Sequence, residues 1–230
     1  MGARGCWHTQ PSDSPSIPLT PIAVIDFETT GLSPAQGDRA TEIAIVVLEE
    51  GQVVDRFQSL MNAGVRISPF IEAYTGISNE MIRTAPPAAE VMSEAARFVG
   101  DLPLVAHNAS FDQRFWNAEL ERLGGASRTE ASMACTLLLS RRLYPDAGSY
   151  RLGSLAAFHA IPAAGRAHRA MADAEVAAGL LSRIQCDIRA RYEVEEAPHE
   201  LLLKLQRASR KALPKAIESY FQSLRQQTAS

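Results

Sequence analysis

Between residues 22 and 60 the apolar residues come in three short runs, and each spacing predicts a strand. IAVIDF, Ile22 to Phe27, is rich in β-branched residues and as short as a central strand should be. ATEIAIVVLEEGQVVDRFQSLMN, residues 40–62, holds two more runs joined at Glu49-Glu50-Gly51, where Gly suits a hairpin turn. Beyond them the period lengthens. SPFIEAYTGISNEMIRTAPP reads as helical fragments broken by turns, and AAEVMSEAARFVGD puts Val91, Ala95, Phe98 and Val99 on one helical face. LPLVAH, Leu102 to His107, is another short buried-strand pattern. FDQRFWNAELERLGG carries Phe111, Phe115 and Leu123 at helical spacing and ends on Gly124-Gly125, as a C-cap should.

ASMACTLLLSRRLYP then reads as a strand running into a helix that stops before Pro145. RLGSLAAFHA is a short helix, and HRAMADAEVAAGLLSRIQCDIRARY a long one. From about Pro198 the chain is helical but basic, with an interruption expected at Pro214. Leading strands followed by alternating helices and strands predict an α/β fold, a mixed sheet with helices on its faces. The expected division is a flexible Pro/Ser-rich leader over 1–20, one domain over 21–191, and a basic helical tail over 192–230.

Composition narrows the function classes. At 230 residues, 46% of them hydrophobic, the chain can build a sizeable core and is not globally disordered. The net charge is −3, yet residues 201–230 hold six Lys or Arg against Glu218 alone. An acidic body with a basic tail is not a simple cationic coat for nucleic acid. It can still hold a polyanion if metal ions sit among the acids. The cysteines Cys6, Cys135 and Cys186 are odd in number and lack metal-ligand spacing, so neither a disulfide framework nor a cysteine metal site is expected. No apolar run approaches membrane-spanning length and no secretory signal pattern opens the chain. The expectation is a cytoplasmic protein with no membrane partner.

Candidate chemistry begins inside the first strand. Side chains at i and i+2 share a face, so Asp26 and Glu28 project together beside Val24 while Ile25 and Phe27 point the other way. Two adjacent carboxylates repel unless a hard cation lies between them, although two solvated acids on a sheet edge would fit the same spacing. The second stretch is LVAHNASFD, which ends on a third acid, Asp112; its strand ends at His107 and Asn108 is placed to cap the next helix. That is where open α/β sheets put their sites, although an Asp there also suits the helix dipole. Third, HRAMAD places His168 just before a helix and Asp173 in its opening turns. Imidazole beside acids can take a proton near neutral pH.

DFETTG, HNASFD and HRAMAD, in that order and with those separations, resemble the three motifs of the DEDDh exonuclease family. The family includes RNase T, oligoribonuclease-type enzymes and the proofreading epsilon subunit of DNA polymerase III. YTGIS, Tyr74 to Ser78, is similar to a further family stretch that often reads His-Gly-Ile, with Thr75 here in the place of the His. The resemblance spans about Pro21 to Arg191. It implies a ribonuclease H-like fold: a mixed five-stranded sheet, its first strands antiparallel, flanked by helices and followed here by a helical C-terminal appendage. It implies that Asp26, Glu28, Asp112 and Asp173 hold two Mg²⁺ or Mn²⁺ ions and that His168 is the general base. Thr29, Thr30, Gly31 and Leu32 match the turn that cradles the terminal nucleotide, and Asn108 and Phe111 fit the same terminus. Asn108 as a helix cap and Phe111 as core are the plainer assignments, as core is for Phe115 and Trp116.

The implied activity is 3′→5′ exonucleolysis of single-stranded nucleic acid, DNA before RNA, releasing nucleoside 5′-monophosphates, with proofreading or repair as its setting. The basic tail then offers a backbone-binding arm or a docking site for a polymerase or other protein. The alternative is a silent module that binds nucleic acid or docks on a polymerase without cutting.

Overall fold

Three strands lead the chain in the computed structural model, which describes residues 20–124, 132–162, 165 and 168–228. β1 (Ile22–Thr29) pairs antiparallel with β2 (Ala40–Glu49), which pairs antiparallel with β3 (Gln52–Leu60). Glu50 and Gly51 make the hairpin turn, with φ of 50° and 78°. Two successive positive φ values give the turn whose twist matches its strands. The leader expected over 1–20 and the cap expected at Gly125 fall outside the described residues, apart from Thr20.

After β3 come the helices α1 (Pro69–Thr75), α2 (Asn79–Thr84) and α3 (Ala88–Val99). β4 (Leu104–Ala106), α4 (Ser110–Arg122), β5 (Ala134–Cys135), α5 (Thr136–Leu143) and α6 (Leu152–Phe158) follow. The chain closes with α7 (Ala170–Tyr192), α8 (His199–Leu205) and α9 (Leu213–Thr228). The sheet order is β3-β2-β1-β4-β5, with β4 parallel to β1 and β5 parallel to β4. This mixed five-stranded sheet flanked by helices is the ribonuclease H-like arrangement that the sequence motifs imply.

Alternation along β1 divides the core in two. Ala23, Ile25 and Phe27 pack with Val91 and Met92 of α3 and with Phe115 and Trp116 of α4. Ile22 and Val24 pack on the other face against Leu180, Leu181 and Ile184 of α7. Each such buried side chain stabilises the fold by about 1.5–3 kcal/mol relative to exposure. Asp26 and Glu28 follow the parity of Val24 and so lie toward α7. A register shift between Glu28 and Thr29 ends the regular pairing beside them, and bulges of this kind re-aim side chains at the rims of sites.

The basic tail is more than an appendage. Leu201, Leu202 and Leu205 of α8, with Leu213 and Ile217 of α9, are buried in the α7-side core. Pro214, expected as an interruption, is the second residue of α9, where its missing N–H breaks no helical bond. Between the two helices Gln206 closes the sheet edge: its Oε1 accepts from Cys135 N–H at 2.6 Å and its Nε2 donates to Met133 O at 3.2 Å. An amide side chain thus covers the groups that β5 would leave open to another strand. Cys135 is free and buried. Among the described residues no helix is long and apolar enough to cross a membrane.

Candidate active site

Three elements, β1, α4 and α7, bring four acids together near the C-terminal end of β1. Asp26 and Glu28 come from the strand and Asp173 from the first turn of α7. Each of the three offers a carboxylate oxygen, and these oxygens lie within 4.8 Å of one another. Asp112, in the first turn of α4, is 2% exposed, and its Oδ1 accepts from the Phe27 N–H at 3.1 Å. That bond holds it to the strand between Asp26 and Glu28. Its charge acts on Asp26 more strongly than that of any other neighbour.

The electrostatics are those of unneutralised acids. Burial, then Asp112 and Glu28, push the Asp26 carboxyl well above its ordinary range. Burial, then Asp173 and Glu42, push Glu28 up to about 8, with Arg169 opposing. Burial raises Asp112 against the pull of the Phe27 N–H. Burial likewise raises Asp173, against the His168 N–H, which donates to its Oδ2 at 3.1 Å, and the His168 ring. Desolvation and like charge act in one direction here, and only a cation or protons can relieve them.

His168 sits at φ 61° immediately before α7, and its ring stacks on Tyr74 of α1 with centroids 3.9 Å apart. Tyr74 in turn stacks on Phe70, and both are exposed. Three rings therefore lead outward from the acids. The stretch YTGIS marked Tyr74 without giving its ring a task. Thr75 is buried, its hydroxyl donating to Ile71 O and accepting from the Ile77 N–H.

The turn after β1 is organised by Asp38. Its carboxylate accepts from the Thr30 hydroxyl and the Ser33 N–H, and a Cβ on Gly31 would fall 2.3 Å from it, so any larger residue would displace Asp38 from these bonds. The Thr30 N–H donates to Arg39 O, and Thr29 Oγ1 to Gly31 O. The N–H groups of Thr30 and Ser33 are thus engaged within the turn. Leu32 projects, 77% exposed.

Asn108 departs from its expected role as a side-chain cap. The N-cap of α4 is Ala109, with no side-chain bond, while Asn108 takes φ 64° and its carbonyl accepts from the Phe111 N–H. Phe111 is half-buried against Phe115, and Phe115 and Trp116 are core. His107 has one ring nitrogen 2.9 Å from Thr136 Oγ1 and the other 3.1 Å from Tyr150 O. Burial lowers it to about 4, so it is a neutral structural group.

Two pairs at the site's border escaped sequence reasoning. Arg169 is bidentate on buried Glu42, at 2.7 and 3.1 Å, and Ala170 N–H adds a third bond. Arg39 is bidentate on buried Glu119 at 2.8 and 2.9 Å. A glutamate inside the apolar run ATEIAIVV was the available signal for the first.

The site fits hard divalent cations: it offers oxygen donors only, close together and short of positive charge, as Mg²⁺ and Mn²⁺ prefer. Comparison with known proteins shows the family. The exonuclease family model of the RNase T type matches residues 23–181. The chain is 35% identical over 192 residues to the 3′-5′ exonuclease DinG of Bacillus subtilis (strain 168), covering 82% of this chain and 19% of that protein. It is 37% identical over 164 residues to the PolC-type DNA polymerase III of the same strain, covering 71% of this chain and 11% of the polymerase. The chain thus spans less than a fifth of either relative. Among solved structures it is similar to exonuclease X in complex with 5′ overhanging duplex DNA, with TM-score 0.61 and 25% identity over 80% of this chain and 99% of that one. The nuclease domain of 3′hExo, a DEDDh family member bound to rAMP, shares the fold with TM-score 0.65 at 19% identity, over 77% and 96%.

Proposed function

Because the chain belongs to the DEDDh-type exonuclease family, we propose that it is a metal-dependent 3′→5′ exonuclease. It hydrolyses the terminal phosphodiester of single-stranded nucleic acid, DNA in preference to RNA, and releases nucleoside 5′-monophosphates. One observation carries the reading: Asp26, Glu28 and Asp173 bring carboxylate oxygens within 4.8 Å of one another, with Asp112 bonded to the same strand and no cation of the chain's own bonded to any of them among the described residues.

In this reading Asp26, Glu28, Asp112 and Asp173 would together hold two Mg²⁺ or Mn²⁺ ions. Such ions supply Lewis acidity, which makes water a better nucleophile near neutral pH and stabilises charge on the transferring phosphoryl group. The chain's own residues do the rest. His168 accepts the proton of the attacking water as its oxygen bonds to phosphorus. The bond to the 3′-oxygen of the penultimate nucleotide breaks, and that oxygen leaves as a hydroxyl after taking a proton from solvent. Tyr74 holds the imidazole by stacking, and the His168 N–H on Asp173 ties the base to the metal-holding acid. Leu32 and the turn Thr29-Thr30-Gly31 lie where the terminal nucleotide meets the acids, with Leu32 offering an apolar surface to its base. Asn108 and Phe111 flank the same end. The PolC-type DNA polymerase III and the DNA-bound exonuclease X support DNA as substrate, and the rAMP bound to 3′hExo keeps RNA within the same chemistry. The outward face of the C-terminal segment, with exposed Arg210 and Lys211 in the turn between α8 and α9 and exposed Lys215 on α9, is suited to a nucleic-acid backbone or to a polymerase. The reading carries a cytoplasmic setting with it.

Digestion of labelled single-stranded DNA, duplex DNA with a 3′ overhang, and RNA, each with Mg²⁺ and with Mn²⁺, tests the assignment. The expected result is a ladder shortening from the 3′ end, fastest on single-stranded DNA, and stopped by Asp26→Ala. His168→Ala should slow turnover by about 10²–10⁴-fold while metal affinity stays near wild type. Binding without shortening would support the silent module instead.

A further inference from the structure

A groove of about 1270 Å³ opens beside the carboxylates, lined at one end by Asp173, His168 and Tyr74. From there it crosses the C-terminal ends of β4 and β5, past His107, Asn108 and Cys135, to Met133 and Gln206. Open α/β sheets gather their ligands outside the carboxyl ends of parallel strands. Pockets for one small molecule take roughly 300–1,000 Å³, so the groove holds more than a terminal nucleotide.

Its lining also carries charge opposite in sign to that of the site. Arg141 of α5 and Arg151, just before α6, both line it and both are exposed. Among the described residues neither is ion-paired. The Arg141 guanidinium lies 5.9 Å from the Tyr150 ring centroid, a cation–π contact that orders it without neutralising it. The acids repel a polyanion, and two cations without an ion pair among the described residues line the same groove. Resting on the exonuclease reading, we infer that this groove is the track of the substrate strand upstream of its terminal nucleotide, with Arg141 and Arg151 each taking a backbone phosphate. Contacts of this kind position a strand without reading its sequence.

The experiment compares a single-stranded decanucleotide with a dinucleotide, using the full chain and the double variant Arg141→Gln/Arg151→Gln. The dinucleotide reaches only the carboxylate end. Loss of two phosphate contacts should raise KM for the decanucleotide about tenfold with kcat little changed. It should also make the slope of log KM against log salt shallower by about 1.4, at roughly 0.7 per contact on a single strand. Dinucleotide kcat/KM should stay within about twofold. Equal losses on both substrates, or an unchanged salt slope, would overturn the track, as would a wild-type preference for the dinucleotide. If the wild type cut neither substrate, the exonuclease reading would fail. Fluorescence anisotropy of a labelled decanucleotide would then decide the track by the same salt slope. The single variant Arg151→Gln, with about half the effect, guards against a fold defect in the double one.

Discussion

Glu28 and Glu42 stand directly across from each other on β1 and β2, yet the chain treats them in opposite ways. Glu42 receives both arms of Arg169, the Ala170 N–H and the Gln58 amide. Glu119 is handled alike, with both arms of Arg39 and the Ala40 N–H. These acids join distant segments: Glu42 ties the start of α7 to the sheet, and Glu119 ties α4 to the start of β2. Asp26, Glu28, Asp112 and Asp173 hold no arginine or lysine of their own among the described residues. Arg169 reaches Glu28 with its field, but its hydrogen bonds go to Glu42. A carboxylate that serves the fold comes with its counter-charge encoded in the chain. In the exonuclease reading, one that serves chemistry is left short of it, and the shortage would draw a cation from solution.

Removing one partner from each set should sharpen the contrast, with the largest effect on the compensated one. Arg169→Ala strands buried Glu42, and loss of one partner of a buried pair costs about 3–5 kcal/mol. The paired change Arg169→Met with Glu42→Leu should recover most of it, since a buried ion pair and a packed apolar pair are often close in stability. Asp26→Ala removes a source of repulsion, and in chelator it should leave stability unchanged or raise it by about 1 kcal/mol. Urea unfolding of the variants in EDTA decides. If Asp26→Ala lost as much as Arg169→Ala, the two sets of acids would be the same kind of structural group.

This division also explains what was legible in the sequence. The face parity of Asp26, Glu28 and Val24, the hairpin at Glu50-Gly51 and the strand before His107 follow from local periodicity. The family likeness rests on short motifs that keep their own neighbours. Arg169 and Glu42 lie 127 residues apart, and nothing in either neighbourhood names the other. Gln206 closing β5, 71 residues from Cys135, is equally invisible, as is the burial of Leu201 and Leu205 in a tail that reads as a basic arm. Asn108 failed as a cap for a different reason: the αL conformation that its side chain tolerates was the position's actual demand.

Metal binding should break the contrast from the other side. A divalent ion at about one hundred times its Kd stabilises a one-site protein by about 2.7 kcal/mol. In the exonuclease reading, Mn²⁺ should raise the wild-type Tm accordingly and leave Asp26→Ala where EDTA leaves it. Equal gains in both proteins would place the ion elsewhere.

The smallest effect is the most diagnostic, because it concerns the acids before any ion arrives. Glu28 is raised from 4.5 to about 8, and Asp26, Asp112 and Asp173 are raised too. The folded protein therefore holds protons that the unfolded chain has released, and linkage makes stability fall as pH rises through that window. His107 acts in the opposite sense. Its folded value is about 4 against 6.5, so its share of stability grows with pH up to about 6.5 and is constant above. The two contributions separate between pH 7 and 8.5, where the acids alone still titrate. In EDTA, Tm should drop by a few degrees over that interval. Saturating Mn²⁺ should abolish the drop, since a bound cation displaces the protons and its own affinity grows as they leave. A metal-free Tm that rose between pH 7 and 8.5 would mean that the cluster is already ionised at neutrality and neutralised from within the chain, which would make Glu28 the same kind of group as Glu42.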